Sequence, residues 1–295
     1  MNSVRLKIGG ITFRTVADHP CDEIYWEENY GQFFYDQEDG DSVEVSCYYG
    51  QLPHISLTDG QKVFDTGLVW AAYKLEDSIA FRLREPGDHP RTYAIAKVET
   101  ERNRVEVHYS VENLHIGAGG LLPQPLAFPL FQIVMTTLIP RHSGMLLHAA
   151  GVAVKGRGLL FLGSSGLGKT TMARLWGKHA TILSDERIIL RMLNGQAWIH
   201  GTPWHGELPE FSPLGVPLDA VFFLGPRGEN RVDPINPLQA LKTLLAQSSL
   251  PVWDSEGLQL AFDLAAGFVD STELHELSFV PDESAVDFLR CLRQY

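Results

Sequence analysis

The chain has 295 residues, 44% of them hydrophobic and 20% charged, the balance of a globular protein able to bury a sizeable core. Lys and Arg number 24 against 36 Asp and Glu, and the net charge of −12 repels phosphate backbones, which argues against a general nucleic-acid binder. No run reaches the about 18 uninterrupted apolar residues that suggest a transmembrane helix, and the N-terminal residues lack the apolar core of a secretory signal. Three scattered cysteines, Cys21, Cys47 and Cys291, suit reduced thiols rather than a disulfide framework or a zinc site. A cytoplasmic protein without nucleic-acid or membrane partners is expected.

Short alternating runs fill the first third of the chain. Residues 43–49, 93–98 and 104–109 each place apolar side chains at every second position, the pattern of half-buried antiparallel strands. Residues 1–120 are therefore expected to form a β-rich domain. No Lys or Arg occurs from Thr15 to Gln61, whereas Asp18, Asp22, Glu23, Glu27, Glu28, Asp36, Glu38, Asp39, Asp41, Glu44 and Asp59 are acidic. Such a stretch reads as solvated loops, or as a docking face for a basic protein or peptide.

A Gly- and Pro-rich linker, Gly117 to Pro125, marks the expected domain boundary, and residues 121–295 form the second domain. Residues 129–138 read as a buried helix with Pro129 at its start. Two apolar runs follow, 145–154 and 159–162, and the four residues between them can join only antiparallel neighbours. Thr181-Ile182-Leu183 is a short strand. Residues 187–193 and 196–199 flank Asn194-Gly195, a hairpin signal. Residues 220–224 read as a buried strand, 238–247 and 258–268 as helices, 278–280 as a strand end, and 282–293 as a closing helix capped by Asp282.

One motif stands out. Gly163-Ser164-Ser165-Gly166-Leu167-Gly168-Lys169-Thr170, followed by Thr171, satisfies G-x-x-x-x-G-K-[ST] at every fixed position. An apolar strand, 159–162, leads in, and Met172, Leu175 and Trp176 follow at helical spacing. Glycines let backbone N–H groups converge on phosphate oxygens, and the helix start adds its positive dipole end. Lys169 offers a mobile charge for the outer phosphates, and the Thr170 hydroxyl suits Mg²⁺. Asp185, sixteen positions after Lys169 at the end of an apolar strand, is the candidate metal-organising acid, with Glu186 beside it. Two adjacent acids could divide the work, one on Mg²⁺ and one on an acceptor hydroxyl.

Together, His148-Ala149-Ala150-Gly151-Val152, the Gly-rich loop and Leu183-Ser184-Asp185-Glu186-Arg187 resemble the HPr kinase/phosphorylase family, which shares its nucleotide-binding fold with the phosphoenolpyruvate carboxykinases. The likeness spans residues 145–190, loosens from 191 to 295 and is absent before about residue 125. It implies a mixed-sheet α/β (α+β) fold with a C-terminal P-loop domain, ATP or GTP with Mg²⁺ as cofactors, and a homo-oligomer. It also implies catalytic roles for His148, Lys169, Asp185 and Glu186, the two acids sharing metal binding and activation of the hydroxyl. Two departures are plain: Glu186 stands where the family has Asp, and the Arg-Gly-rich segment that grips HPr is missing. In its place, Gly201-Thr202-Pro203-Trp204-His205-Gly206-Glu207 reads either as an acceptor loop, with His205 or Glu207 near the phosphate, or as a structural loop packed through Trp204. Arg187, Arg191, Arg227 and Arg231 are candidates for stabilising transferred charge, while His142 and His200 read as structural.

The expected function is an ATP- and Mg²⁺-dependent kinase acting on a hydroxyl of a small protein, a peptide or a small molecule, a serine of a small protein or peptide first among these. A second reading is a nucleotide-responsive module that binds a peptide or protein without phosphotransfer. Phosphorolysis, the reverse reaction, is a third; carboxykinase chemistry ranks below these, because it needs extra metal ligands and arginines that the sequence does not place.

Overall fold

Alternating apolar residues of the first third do form strands. The computed structural model describes residues 2–20, 23–37, 40–53, 60–87, 89–113, 120–226 and 228–293. Cys21, Asp22, Glu38, Asp39, Asp59, Gly117–Gly119 and Arg227, all singled out above, lie outside the described residues. The chain divides into two compact units, one of Met1–Lys7, Ile11–Leu138 and Pro251–Gly257, the other of Ile8–Gly10, Ile139–Leu250 and Leu258–Tyr295. The fold is mixed α+β. Among the described residues no helix is long and apolar enough to cross a membrane.

The first unit is built on strands β1 (Asn2–Ile8), β2 (Ile11–Ala17), β3 (Ile24–Tyr25), β4 (Asp41–Gly50), β5 (Gln61–Asp65), β6 (Trp70–Lys74), β7 (Ile79–Arg84), β8 (Thr92–Glu99), β9 (Arg104–Ser110) and β10 (Leu122–Pro123), with helix α1 (Leu130–Leu138). Eight strands make one sheet in the order β1-β2-β4-β9-β8-β7-β6-β5, and β3 pairs with β10. The sequence pattern suggested antiparallel strands, but β4 lies parallel to both β2 and β9, whereas β8–β9 and the pairs from β8 on to β5 are antiparallel. Alternation reports which side chains are buried and carries no information about the partner's direction. Along β4, Val43, Val45, Cys47 and Tyr49 are buried while Tyr48 stays 42% exposed. The division expected after residue 120 also differs from the compact units, because α1 counts with the first. Phe131 on α1 meets Phe13 edge-on at 4.8 Å and stacks on Tyr30 at 5.8 Å.

The second unit contains β11 (Gly144–His148), β12 (Ala150–Val154), β13 (Arg157–Leu162), α2 (Lys169–Trp176), β14 (Thr181–Ser184), β15 (Arg187–Leu193), β16 (Gln196–His200), β17 (Gly215–Leu224), β18 (Arg231–Pro234), α3 (Pro237–Ala246), β19 (Ser248–Ser249), most of α4 (Ser255–Ser271), β20 (Leu274–Ser278) and α5 (Glu283–Arg293). Its ten-stranded sheet runs β14-β12-β13-β17-β16-β15-β11-β19, with β20 beside β17 and β18 beside β20. β12 and β13 are antiparallel, as the short link requires, while β13, β17 and β20 are parallel. The apolar run 145–154 breaks at Ala149 into two strands with different partners, β11 beside β15 and β12 beside β13 and β14. Asn194 (φ 51°) and Gly195 (φ 77°) turn the β15–β16 hairpin with the two positive φ values of a type I′ turn.

Side chains along the central strands leave the sheet on alternate faces. Leu160 and Leu162 of β13 join Val221, Phe223, Ala240, Leu244, Ala265 and Phe268 in one core. Leu159 and Phe161 join Phe222, Met172, Trp176, Val286 and Leu289 in the other. Burial on both faces explains why β13 and β17 read as continuous apolar runs.

Candidate active site

The Gly-rich segment forms the turn from β13 into α2. Gly166 (φ 84°) and Gly168 (φ 106°) hold a backbone region that side chains disfavour, and Gly168 is the cap residue of α2. Met172 donates its N–H to the Gly168 carbonyl at 2.9 Å, so the helix starts directly behind the turn. Leu167 turns toward the core that holds Phe161 and Met172, anchoring the loop from below. Lys169 is 7% exposed and donates from Nζ to the Gly163 carbonyl at 2.8 Å. Burial pushes its ammonium down from the ordinary value; Glu186 opposes that shift and Arg187 adds to it.

Sheet order brings the other expected residues to the same place. Register pairs His148 of β11 with Arg187 of β15, and Gly151 of β12 with Ser184 of β14. Asp185 and Glu186 occupy the two-residue step between β14 and β15 and so arrive beside His148. The buried Ser184 hydroxyl shapes that step: it accepts N–H bonds from Glu186 and Arg187, both at 3.2 Å, and donates to the Trp204 carbonyl at 3.2 Å. His148 Nε2 lies 3.4 Å from Glu186 Oε2, and Arg187 lies 3.7 Å from Glu186 Oε1. Burial lowers the His148 pKa from its ordinary value and the Lys169 charge lowers it further, whereas Glu186 opposes the shift. Near neutral pH the imidazole is therefore uncharged and available to accept a proton.

These groups line a cavity of about 400 Å³, walled by His148, Lys169, Thr170, Glu186 and Arg174 among others. Of the loop, Ser165, Gly166, Gly168, Lys169, Thr170 and Thr171 face it; Gly163, Ser164 and Leu167 do not. Asp185 also borders the cavity, yet it is 1% exposed, and its carboxylate accepts the N–H groups of Gly206 (2.7 Å), Glu207 (3.1 Å) and Leu208 (3.3 Å). Glu207 lines the wall and meets Arg174 at 3.4 Å. His205, one of the two residues that the acceptor-loop reading put near the phosphate, is not on the wall; its ring is stacked on Phe211 at 5.0 Å instead. Trp204 is buried, as the structural-loop alternative supposed.

None of the described arginine candidates, Arg187, Arg191 and Arg231, lines the cavity. Arg191 is buried and spends its guanidinium on the carbonyls of His142 and Gly9, while Arg231 pairs with Asp233 and Glu229. His142 and His200 are buried, in keeping with structural roles. Sequence reading missed Arg174, although its spacing from Thr170, four residues on, places it on the same helix face.

The oxygen-only donors on this wall, the Thr170 hydroxyl and the carboxylates, match what Mg²⁺ prefers. Among the described residues no three His, Cys, Asp or Glu side chains gather into a metal cage, so phosphates and water would complete any coordination shell.

A family model described as SynChlorMet cassette protein ScmC matches residues 128–262. No curated protein matches the sequence. Among solved structures, the HPr(Ser) kinase/phosphatase from Coxiella burnetii is similar at 12% identity, over 51% of this chain and 99% of that one, with a TM-score of 0.28. A superposition that loose adds nothing to the reading of the site.

Proposed function

We propose that the cavity binds the polyphosphate of ATP or GTP and transfers its terminal phosphoryl group to a hydroxyl, a serine of a small protein or peptide being the favoured acceptor. One observation carries this reading: the glycine turn at the start of α2 opens into a cavity whose wall also holds a paired imidazole and carboxylate, His148 and Glu186. Loop amides and Lys169 would hold the phosphates, Lys169 exchanging the Gly163 carbonyl for a phosphate oxygen. Mg²⁺, held by Thr170 and one carboxylate of the Asp185–Glu186 pair, would neutralise phosphate charge. As the acceptor oxygen bonds to phosphorus and the bridging P–O bond breaks, the hydroxyl proton passes to Glu186 or to the uncharged His148. Catalysis on this scheme is mainly positioning and charge neutralisation.

Titration calorimetry of the full chain with Mg-ATP tests the first half, and the reading fails if no heat appears at millimolar nucleotide. Incubation with γ-labelled ATP and a cell lysate tests the second. Label on a protein supports transfer, whereas binding without transfer supports a nucleotide-responsive module instead.

A further inference from the structure

The adjacent acids Asp185 and Glu186 have opposite surroundings. Asp185 is buried at 1% exposure and faces three consecutive backbone N–H groups, those of Gly206, Glu207 and Leu208, at 2.7 to 3.3 Å. Successive amides converging on one carboxylate make a closed anion nest, already filled from within the chain. The Glu186 side chain is 37% exposed and has side-chain neighbours, His148 and Arg187. The segment comes close here: a Cβ on Gly206 would stand 3.1 and 3.2 Å from the Asp185 oxygens and 3.2 Å from Glu186 Cβ, tight enough that these neighbours would have to give by a few tenths of an ångström. The segment so held supplies Gly206 and Glu207 to the cavity wall, and Glu207 reaches across to Arg174 on α2.

Resting on the phosphoryl-transfer reading, we infer that Asp185 is a positioning residue, a carboxylate buckle that fixes residues 206–208 as the acceptor-side wall. That leaves Glu186 as the acid of the pair that meets the cation. A divalent ion needs carboxylate lone pairs directed at it, and three of the roughly four on Asp185 are turned to the amides. The buckle also accounts for an acid at this buried position, since removing it would strand three polar N–H groups.

Three variants of the full chain test this: Asp185→Asn, Gly206→Ala and Glu186→Gln. Hydrogen exchange reads the 206–208 amides, and calorimetry compares Mg-ATP with ATP in chelator, the affinity ratio isolating the cation. Asp185→Asn and Gly206→Ala should each speed exchange at 206–208 by about tenfold or more. Both should keep the wild-type affinity ratio, and combining them should add little to either alone. Glu186→Gln should leave exchange unchanged and collapse the ratio toward one. The inference is overturned if Asp185→Asn collapses the ratio while 206–208 stay protected, or if Gly206→Ala leaves those amides protected. Should Asp185→Asn not fold, Gly206→Ala and Glu186→Gln decide the matter. If the wild type takes up no Mg-ATP, the phosphoryl-transfer reading falls on its own, and exchange in Asp185→Asn and Gly206→Ala still shows whether the buckle exists.

Discussion

Both units are built on large mixed sheets, but they use them differently. In the first, parallel strands β2, β4 and β9 lie side by side, and among the described residues α1 is its one complete α-helix. In the second, the parallel strands β13, β17 and β20 carry apolar side chains on both faces, and helices α2 to α5 contribute to the two cores. A strand buried on both sides is held firmly, and the loop leaving its carboxyl end inherits that rigidity. The lesson is that the Gly-rich turn and the acidic step after β14 owe their positions to strands that cannot shift without opening a core.

The largest expected effect tests that lesson directly. Phe161 on β13 and Phe13 on β2 are both fully buried, each against another phenylalanine. Truncating either to alanine should cost about 3–5 kcal/mol, read as a shift in denaturant midpoint. Well below the melting temperature, only Phe161→Ala should also weaken Mg-ATP binding, because β13 launches the phosphate turn. Equal loss of nucleotide affinity in both variants would break the contrast between the units. Next in size is Lys169→Ala. It removes the buried ammonium from the cavity wall and should lower Mg-ATP affinity about a hundredfold, which is about 2.8 kcal/mol. Its melting temperature should change little, since the Nζ bonds within the fold are to loop carbonyls.

What could be read from the sequence follows from which forces are local. The turn at Gly163–Thr170, the Asn194–Gly195 hairpin and the cap at Asp282, which accepts the Ser284 N–H at 2.9 Å, are written in a few consecutive residues. Strand direction in the first sheet was not legible, because parallel and antiparallel neighbours bury the same alternate residues. Nor was the nest around Asp185, which depends on residues 21 to 23 positions away in the connection between β16 and β17.

A smaller effect sharpens the account of the second unit's helical cover. Asn236 caps α3, its side chain accepting the N–H groups of Leu238 and Gln239 at 2.9 and 3.3 Å. Asn236→Ala should cost about 1 kcal/mol. Helix α3 sends Ala240 and Leu244 into one face's core, so the loss should appear in global stability and not only as local fraying. A change in hydrogen exchange confined to the first turn of α3, with an unshifted denaturant midpoint, would show that this face is covered without α3.

The smallest expected effect concerns protons. His148 is held below its ordinary pKa of about 6.5 by burial and by Lys169, with Glu186 pulling the other way. A folded-state value below the unfolded one means that the unfolded chain binds more protons as the solution acidifies. Stability linked to His148 is therefore full above pH about 6.5 and lost as pH falls below it. The sign also predicts how the midpoint moves when its neighbours change. Glu186→Gln removes the one opposing charge and should lower the His148 midpoint further, whereas Lys169→Ala removes a repelling charge and should raise it. Both are measurable by following the imidazole carbon-bound proton by NMR from pH 4 to 8. If the midpoint moves the same way in both variants, the imidazole does not sit between those two charges, and His148 loses its place as a proton acceptor in the cavity.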